Sequence, residues 1–194
     1  MISIIGGSGF VGQVAHNALM NIGCDVLSFS SKELNLLNFE SVLSQKKNLV
    51  SSKAIVFVSA IAPCRDPLML KKNITMLENL IKVTLPHQYL VYVSSDAVYA
   101  DSMCHIDEES ICEPQSFHGL MHITREFMIR DYFEKFALIR PTLIYGHGDP
   151  HNGYGPNQFK RLVDKSENII LFGKGEEKRD HVHISNVGEI IAEV

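Results

Sequence analysis

The sequence predicts an α/β fold, a doubly wound parallel sheet with helices on both faces. Three observations predict it. Short, nearly all-apolar runs recur as far as Ile139, and such runs suit strands buried on both faces. Segments of helical periodicity separate them, which implies parallel pairing with right-handed crossovers. The first run leads straight into a glycine-rich turn, Gly6-Gly7-Ser8-Gly9-Phe10-Val11-Gly12, and that turn opens a helix.

Each element carries its own signal. Ile2–Ile5 is the first strand. Phe10, Val11, Val14, Ala15, Ala18, Leu19 and Ile22 then recur at helical period, and Gly23 ends that helix. Residues 25–29 read as strand two, 54–59 as strand three, 67–83 as a helix and 89–94 as strand four. A helix from about Pro114 to Glu134 and a strand at 136–139 follow, and Arg140-Pro141 stops that strand. Beyond Pro141, glycine and proline crowd together at Gly146, Gly148, Pro150, Gly153, Gly155 and Pro156. That change of texture marks a domain boundary, with one unit over 1–145 and another over 146–194. The last helix, 186–194, presents Val187, Ile190, Ile191 and Val194, a face that needs a partner. Exposed apolar surface is expected there.

Composition excludes several classes. The 194 residues are 45% apolar and 21% charged, ordinary for a soluble globular chain. A net charge of −4 is not the basic footprint of a nucleic-acid binder. No apolar stretch is long enough to span a membrane, and no secretory signal opens the chain. Cys24, Cys64, Cys104 and Cys112 include no C-x-x-C pair. They read as reduced thiols of a cytoplasmic protein.

Gly6, Gly9 and Gly12 lie three apart, after a strand and before a helix. Glycine allows a pyrophosphate to approach the backbone, where a helix N-terminus offers free N–H groups and a favourable dipole. The strand–turn–helix context is what a dinucleotide site requires. The competing reading is a tight turn without a ligand. Ser30-Ser31-Lys32 follow strand two, with Glu33 next. An acid directly after this strand would bind the ribose hydroxyls of NAD, whereas small polar or basic residues leave room for the NADP phosphate. The cofactor is therefore expected to be NAD or NADP, with NADP favoured. The alternative is a solvated loop.

Four segments in order, Gly6 to Gly12, Tyr92-Val93-Ser94-Ser95-Asp96-Ala97-Val98-Tyr99, Arg140-Pro141-Thr142-Leu143-Ile144-Tyr145-Gly146 and Arg179-Asp180-His181-Val182-His183-Ile184, carry a family resemblance. The chain resembles the extended short-chain dehydrogenase/reductases, the NAD-dependent epimerase/dehydratase family acting on nucleotide sugars. The resemblance implies a Rossmann-type domain followed by a small substrate domain, tightly held NAD(P), and transient oxidation of a sugar hydroxyl. It also implies chain beyond Val194, so that 146–194 reads as the start of a truncated substrate domain.

The same resemblance assigns roles. Ser8, Phe10 and Val11 join the glycines at the cofactor. Ser59, Ala60 and Ile61 skirt its ribose and pyrophosphate, Asn73 is a hydrogen bonder beside it, and Pro141 begins the loop past the nicotinamide. Ser95 matches the serine or threonine that orients the sugar oxygen; a hydroxyl capping strand four is the alternative. Asp96 matches the acid of the dehydratase branch, but Ala97 replaces its usual companion Glu. Asn157 matches a substrate contact, and Arg179 the arginine that pairs with the substrate diphosphate. A surface ion pair with Glu176 or Glu177 is the other reading of Arg179.

The family's catalytic Tyr and Lys lie four apart on the next helix. Pro114, Gly119 and Glu126 set the register, which places His118 at the Tyr position and His122 at the Lys position. Tyr132 cannot supply the pair, because Phe136 stands four residues later. Residues i and i+4 share a helix face, and an imidazole already titrates near neutral pH. His118 is expected to replace Tyr as acid/base, and His122 to replace Lys as ribose donor. Three other readings compete: a degenerate site that only binds cofactor, a zinc pair without an identifiable third ligand, and rings that fill space. The loop with His147, Asp149 and His151 reads as a polar substrate loop rather than a metal site, and no metal is assigned. A nucleotide-sugar substrate and a homodimer through the helices flanking strand four are the expected partners.

Overall fold

The computed structural model describes every residue except Cys104, His151, Asn152, Tyr154, Phe172 and Glu177. The readings of Cys104 as a thiol, of His151 as a loop ligand and of Glu177 as an ion-pair partner therefore lie outside the described residues.

The chain runs β1 (Ile2–Ile5), α1 (Phe10–Asn21), β2 (Val26–Phe29), α2 (Phe39–Ser44), α3 (Lys46–Ser51), β3 (Ala54–Phe57), α4 (Pro67–Ile81) and β4 (Tyr89–Val93). A 3-10 turn at Asp96–Val98 leads to α5 (Phe117–Tyr132), β5 (Lys135–Ile139), β6 (Leu143–Tyr145), α6 (Pro156–Asp164), β7 (His181–His183) and α7 (Ile184–Glu193). Five parallel strands form one sheet in the order β2-β1-β3-β4-β5. This is the Rossmann-like α/β fold expected. β6 and β7 pair parallel in a small second sheet.

Alternation along the strands sorts side chains to two apolar layers. Ile5, Ile55, Phe57, Leu90 and Tyr92 face the layer covered by α4 and α5, with Leu77, Leu80 and Ile129. Ile4, Val56 and Val91 face α1 and α7, through Ala15, Leu19, Val187 and Ile191. The strand order reverses between β1 and β3, so the chain leaves β1 for one edge and returns for the other. The crevice at such a switch point is where ligands bind in open α/β sheets, and the glycine loop sits in it.

Helix starts follow side-chain caps. Asp66 accepts from the Met69 N–H at 2.8 Å with Pro67 in the first turn. Ser116 accepts from the Gly119 N–H at 3.1 Å, so α5 begins at Phe117 rather than near Pro114. The last helix departs from expectation more strongly. Its apolar face has a partner, because α7 lies on α1, and a Cβ on Gly188 would stand 3.1 Å from the Val14 carbonyl oxygen. Val187 and Ile191 are buried, and the exposed apolar surface is confined to Ile190 and Val194.

Candidate functional site

The glycine loop is built by backbone constraint. The Gly6 and Gly7 N–H groups both donate to the Phe29 carbonyl at 2.9 Å, tying the loop to the end of β2. Gly6 has φ +98°, a conformation that favours glycine. A Cβ on Gly12 would lie 2.2 Å from the Gly6 carbonyl oxygen. Gly9 caps α1 without a side chain, so the first-turn amides of Phe10, Val11 and Gly12 have no helical acceptor. Gln13 Nε2 holds the exposed Ser8 through its carbonyl at 2.9 Å. The cradle, rich in glycine and with α1 left uncapped by any side chain, fits a dinucleotide pyrophosphate.

At the end of β2, Ser30 makes a contact that sequence reasoning missed. Its N–H donates to Glu33 Oε2 at 2.9 Å, and its hydroxyl donates to the same oxygen. These bonds hold the Glu33 carboxyl below the usual carboxylate range. The Lys32 N–H donates to Ser30 Oγ at 3.2 Å, and Ser31 is exposed beside it. A carboxylate therefore does stand at the end of β2, four positions after the strand.

The β3–α4 connection, with Ser59, Ala60 and Ile61, runs next to the glycine loop; a Cβ on Gly6 would lie 3.1 Å from Ser59 N. Asn73, fully buried in α4, clamps it. Its Oδ1 accepts from Ile61 N–H at 2.9 Å, and its Nδ2 donates to the Ile61 and Met69 carbonyls at 3.0 Å.

Ser95 and Asp96 follow β4. The Ser95 hydroxyl accepts from Ala97 N–H at 3.2 Å and donates to Asp96 Oδ1 at 3.1 Å, so it caps the 3-10 turn. Burial pushes the Asp96 carboxyl up, and the Ser95 hydroxyl and the Arg179 charge oppose that rise. Asp96 N–H donates to the Pro141 carbonyl at 3.1 Å, which brings the loop after β5 alongside. Helix α5 seats directly on this turn, since a Cβ on Gly119 would be 1.9 Å from the Ala97 carbonyl oxygen. The start of α5, which carries His118, is thereby packed against the 3-10 turn.

The two histidines differ. Their rings meet edge to face with centroids 4.7 Å apart. His118 is half-buried, and its Nδ1 accepts from the Cys64 N–H across a long 3.4 Å. His122 is buried, and its Nδ1 is 2.7 Å from the hydroxyl of Tyr92. Burial first, then the His118 ring and the Arg125 charge, pull His122 down to about 2. The ring is neutral, unlike a lysine ammonium, and one of its nitrogens is committed to Tyr92. Burial pushes Tyr92 itself up to about 12, so the phenol keeps its proton.

A pH consequence follows. The unfolded chain protonates His122 below about pH 6.5, and the folded chain does not until about pH 2. Stability is therefore lost as pH falls below 6.5, by about 1.4 kcal/mol per pH unit for this one proton. His122→Asn should flatten the stability–pH slope between pH 6 and 4 by roughly that amount, measured by urea unfolding. Equal slopes would contradict a neutral, buried His122.

The distal loop is held by its own residues. Asn157 Oδ1 accepts from Gly146 N–H at 3.2 Å, and its Nδ2 donates to Asp149 Oδ2 at 2.8 Å. Asp149 is buried and also meets the Arg161 guanidinium. Among the described residues no group of three or more His, Cys, Asp or Glu side chains could hold a metal. Glu176 accepts from the Lys174 N–H at 2.8 Å. Tyr132 lies away from the histidines, donating to the Thr84 carbonyl at 2.6 Å.

Tyr92 and Arg125 are two buried residues near the histidines that sequence reasoning passed over. A signal existed for each. Tyr92 alternates onto a buried strand face, where a hydroxyl needs a partner. Arg125 interrupts the i, i+4 stripe of Met121 and Ile129, all three fully buried.

Solved structures of this shape are numerous. The Thermus thermophilus UDP-glucose 4-epimerase complex with NAD superposes with a TM-score of 0.82 at 20% identity, over 99% of this chain and 73% of that one. MoeE5 in complex with UDP-glucose and NAD gives 0.80 at 20% identity, over 98% and 70%. A Methanocaldococcus jannaschii protein that carries the name of a UDP-glucose 4-epimerase is 24% identical over 217 residues, spanning 97% of this chain and 71% of that protein. The profile of the "NAD dependent epimerase/dehydratase family" matches residues 2–194. With the glycine loop at the switch point of a five-stranded parallel sheet, the chain belongs to the NAD-dependent epimerase/dehydratase family.

Proposed function

We propose that the chain binds a nicotinamide dinucleotide across the glycine loop and oxidises and re-reduces a nucleotide sugar, with His118 as the proton-transfer group. The observation that supports this reading is the seat of Gly119 on Ala97, which packs the start of α5 against the turn after β4, at the same end of the sheet as the glycine loop. The bound dinucleotide would supply the hydride acceptor. The sugar carbon would give up a hydride, and the proton of its hydroxyl would pass to His118, leaving a carbonyl. With Nδ1 accepting from Cys64, the neutral His118 ring carries its proton on Nε2. In that state it donates to a sugar carbonyl. Taking a proton requires the ring to release the Cys64 amide, and a 3.4 Å contact is weak enough to release.

Ser95 would orient the sugar oxygen, Asp96 would supply an acid raised by burial, and Arg179 would meet the diphosphate. His122 would offer the nicotinamide ribose only a neutral N–H. Asn157 would act on substrate through the loop it braces. Residues 146–194 would belong to the substrate-binding part, with α7 doubling as a layer over α1. The expectation of NADP is weakened by Glu33, whose carboxylate repels a 2′-phosphate and suits ribose hydroxyls; we favour NAD. The exposed Leu68, Phe117, Leu120 and Phe127 on α4 and α5 support a homodimer through those helices. We place the protein in the cytoplasm, with reduced thiols. Among the described residues no helix is long and apolar enough to cross a membrane.

A second reading has its own support. A neutral His122 and a Ser95 hydroxyl used as a cap favour a protein that holds dinucleotide without turnover. The test combines both readings. NADH and NADPH are titrated into the chain, which is then assayed with a panel of nucleotide sugars alongside His118→Ala. Loss of about 100-fold or more in kcat with unchanged dinucleotide affinity is expected for the variant. An unchanged rate removes His118 from the chemistry, and binding without turnover by the unsubstituted chain establishes the second reading.

A further inference from the structure

Arg125 is fully buried, and among the described residues no carboxylate lies within 4.0 Å of its nitrogens. Its partners are neutral. Nε and Nη2 donate to the Asn73 carbonyl at 3.0 and 2.7 Å, Nη1 donates to the Ser59 carbonyl at 2.9 Å, and Nη2 donates to Asn73 Oδ1 at 3.1 Å. The guanidinium also stacks over the Phe57 ring at 4.9 Å. Its sequence neighbour Glu126 is committed to Arg140, 2.6 Å away. Hydrogen bonds satisfy the donors, but they leave the charge itself uncompensated, and an unpaired buried charge is costly.

Its position suggests what compensates it. The Ser59 carbonyl that Arg125 holds belongs to the residue whose backbone lies against Gly6. The cation therefore sits one residue behind the backbone that lies against the glycine loop. We infer that Arg125 is a fixed counter-charge for the pyrophosphate of the bound dinucleotide, acting through the β3–α4 loop rather than by contact. This inference rests on the cofactor reading above. It adds a positioning residue on α5 to a phosphate site otherwise built from backbone. Dinucleotide binding then relieves an electrostatic cost that the empty chain carries.

Two variants separate charge from hydrogen bonding. Arg125→Gln keeps donors for the carbonyls and removes the charge. Arg125→Lys keeps the charge and loses the planar fork. Calorimetry measures NADH, ADP-ribose and neutral adenosine on each folded chain. Arg125→Gln should weaken NADH and ADP-ribose on the order of tenfold, the scale of two unit charges roughly 10 Å apart at an effective dielectric of about 20. It should leave adenosine within about twofold, and Arg125→Lys should stay within about threefold on all three ligands. Equal losses for adenosine and ADP-ribose would reduce Arg125 to a packing residue of the loop and overturn the inference. So would Arg125→Lys as weak as Arg125→Gln, or Arg125→Gln unchanged. If Arg125→Gln fails to fold, Arg125→Met removes charge and donors together, and the adenosine control then reports the share lost with the hydrogen bonds. Failure of the unsubstituted chain to bind either NADH or NADPH overturns the cofactor reading itself, whereas binding that ignores the substitutions overturns only the role of Arg125.

Discussion

Glu126→Ala is expected to cost about 3–5 kcal/mol of folding stability, the scale for removing one partner of a buried ion pair. The Glu126 side chain is 1% exposed. Its Oε1 accepts from the Ser94 hydroxyl at 2.6 Å and from Arg140 Nε at 3.0 Å, and its Oε2 accepts from Arg140 Nη2 at 2.6 Å. Arg140 in turn donates to the Tyr99 hydroxyl at 2.6 Å, and its guanidinium lies over the Tyr99 ring at 5.2 Å. The Glu126 contact, supported by Tyr99, raises the Arg140 guanidinium above its ordinary value. The network joins α5, the end of β4 and the end of β5, directly beneath the Ser95–Asp96 turn. Alanine leaves Arg140 without its carboxylate and Ser94 without an acceptor. Urea unfolding measures the loss, and a change under about 1 kcal/mol would mean that water replaces the carboxylate. The double variant Glu126→Leu/Arg140→Met, which removes both charges, should recover much of the loss.

Legibility in the sequence followed the range of the interactions. β1, the glycine loop and α1 are contiguous, and each has a local cause: apolar run, forced backbone turn, helical period. The five sheet strands were legible for the same reason, as were α4 and α5. α2 and α3 have six residues each, less than two turns, so no period declares them. β6 and β7 have three residues each and pair with one another across a long loop. The apolar face of α7 was read correctly, but its partner lies at the other end of the chain, on α1.

The site divides in the same way. The glycine loop is shaped by backbone constraint, so glycine spacing announced it. The close seat of α5 was legible from Gly119, whose small size the Ala97 carbonyl demands. The state of His122 was not, because it depends on Tyr92 from β4 and Arg125 from its own helix, which only the fold brings together. Glu33 was visible at position 33, but only the turn at Ser30 carries its carboxylate back to the end of β2.

Gly12→Ala is expected to weaken dinucleotide binding at least tenfold and to cost about 1–3 kcal/mol of stability, the range for overpacking. The added methyl would stand 2.2 Å from the Gly6 carbonyl oxygen and 2.7 Å from the Gly7 Cα, both of them backbone atoms with no rotamer to give way. Either α1 or the loop must move. α1 is held along its length, because Ala15 and Leu19 are buried against the sheet and α7 packs across Val14. The loop is the softer side, so it should yield, and with it the geometry of the amides proposed to hold the pyrophosphate. A control comes from Gly23, which has φ +82° with nothing within 4 Å of a Cβ. Gly23→Ala incurs only backbone strain, about 1 kcal/mol, and should leave affinity unchanged. NADH titration and thermal unfolding of both variants separate the two effects. A Gly12→Ala chain that binds NADH as the unsubstituted chain does would show that the dinucleotide does not lie across this loop.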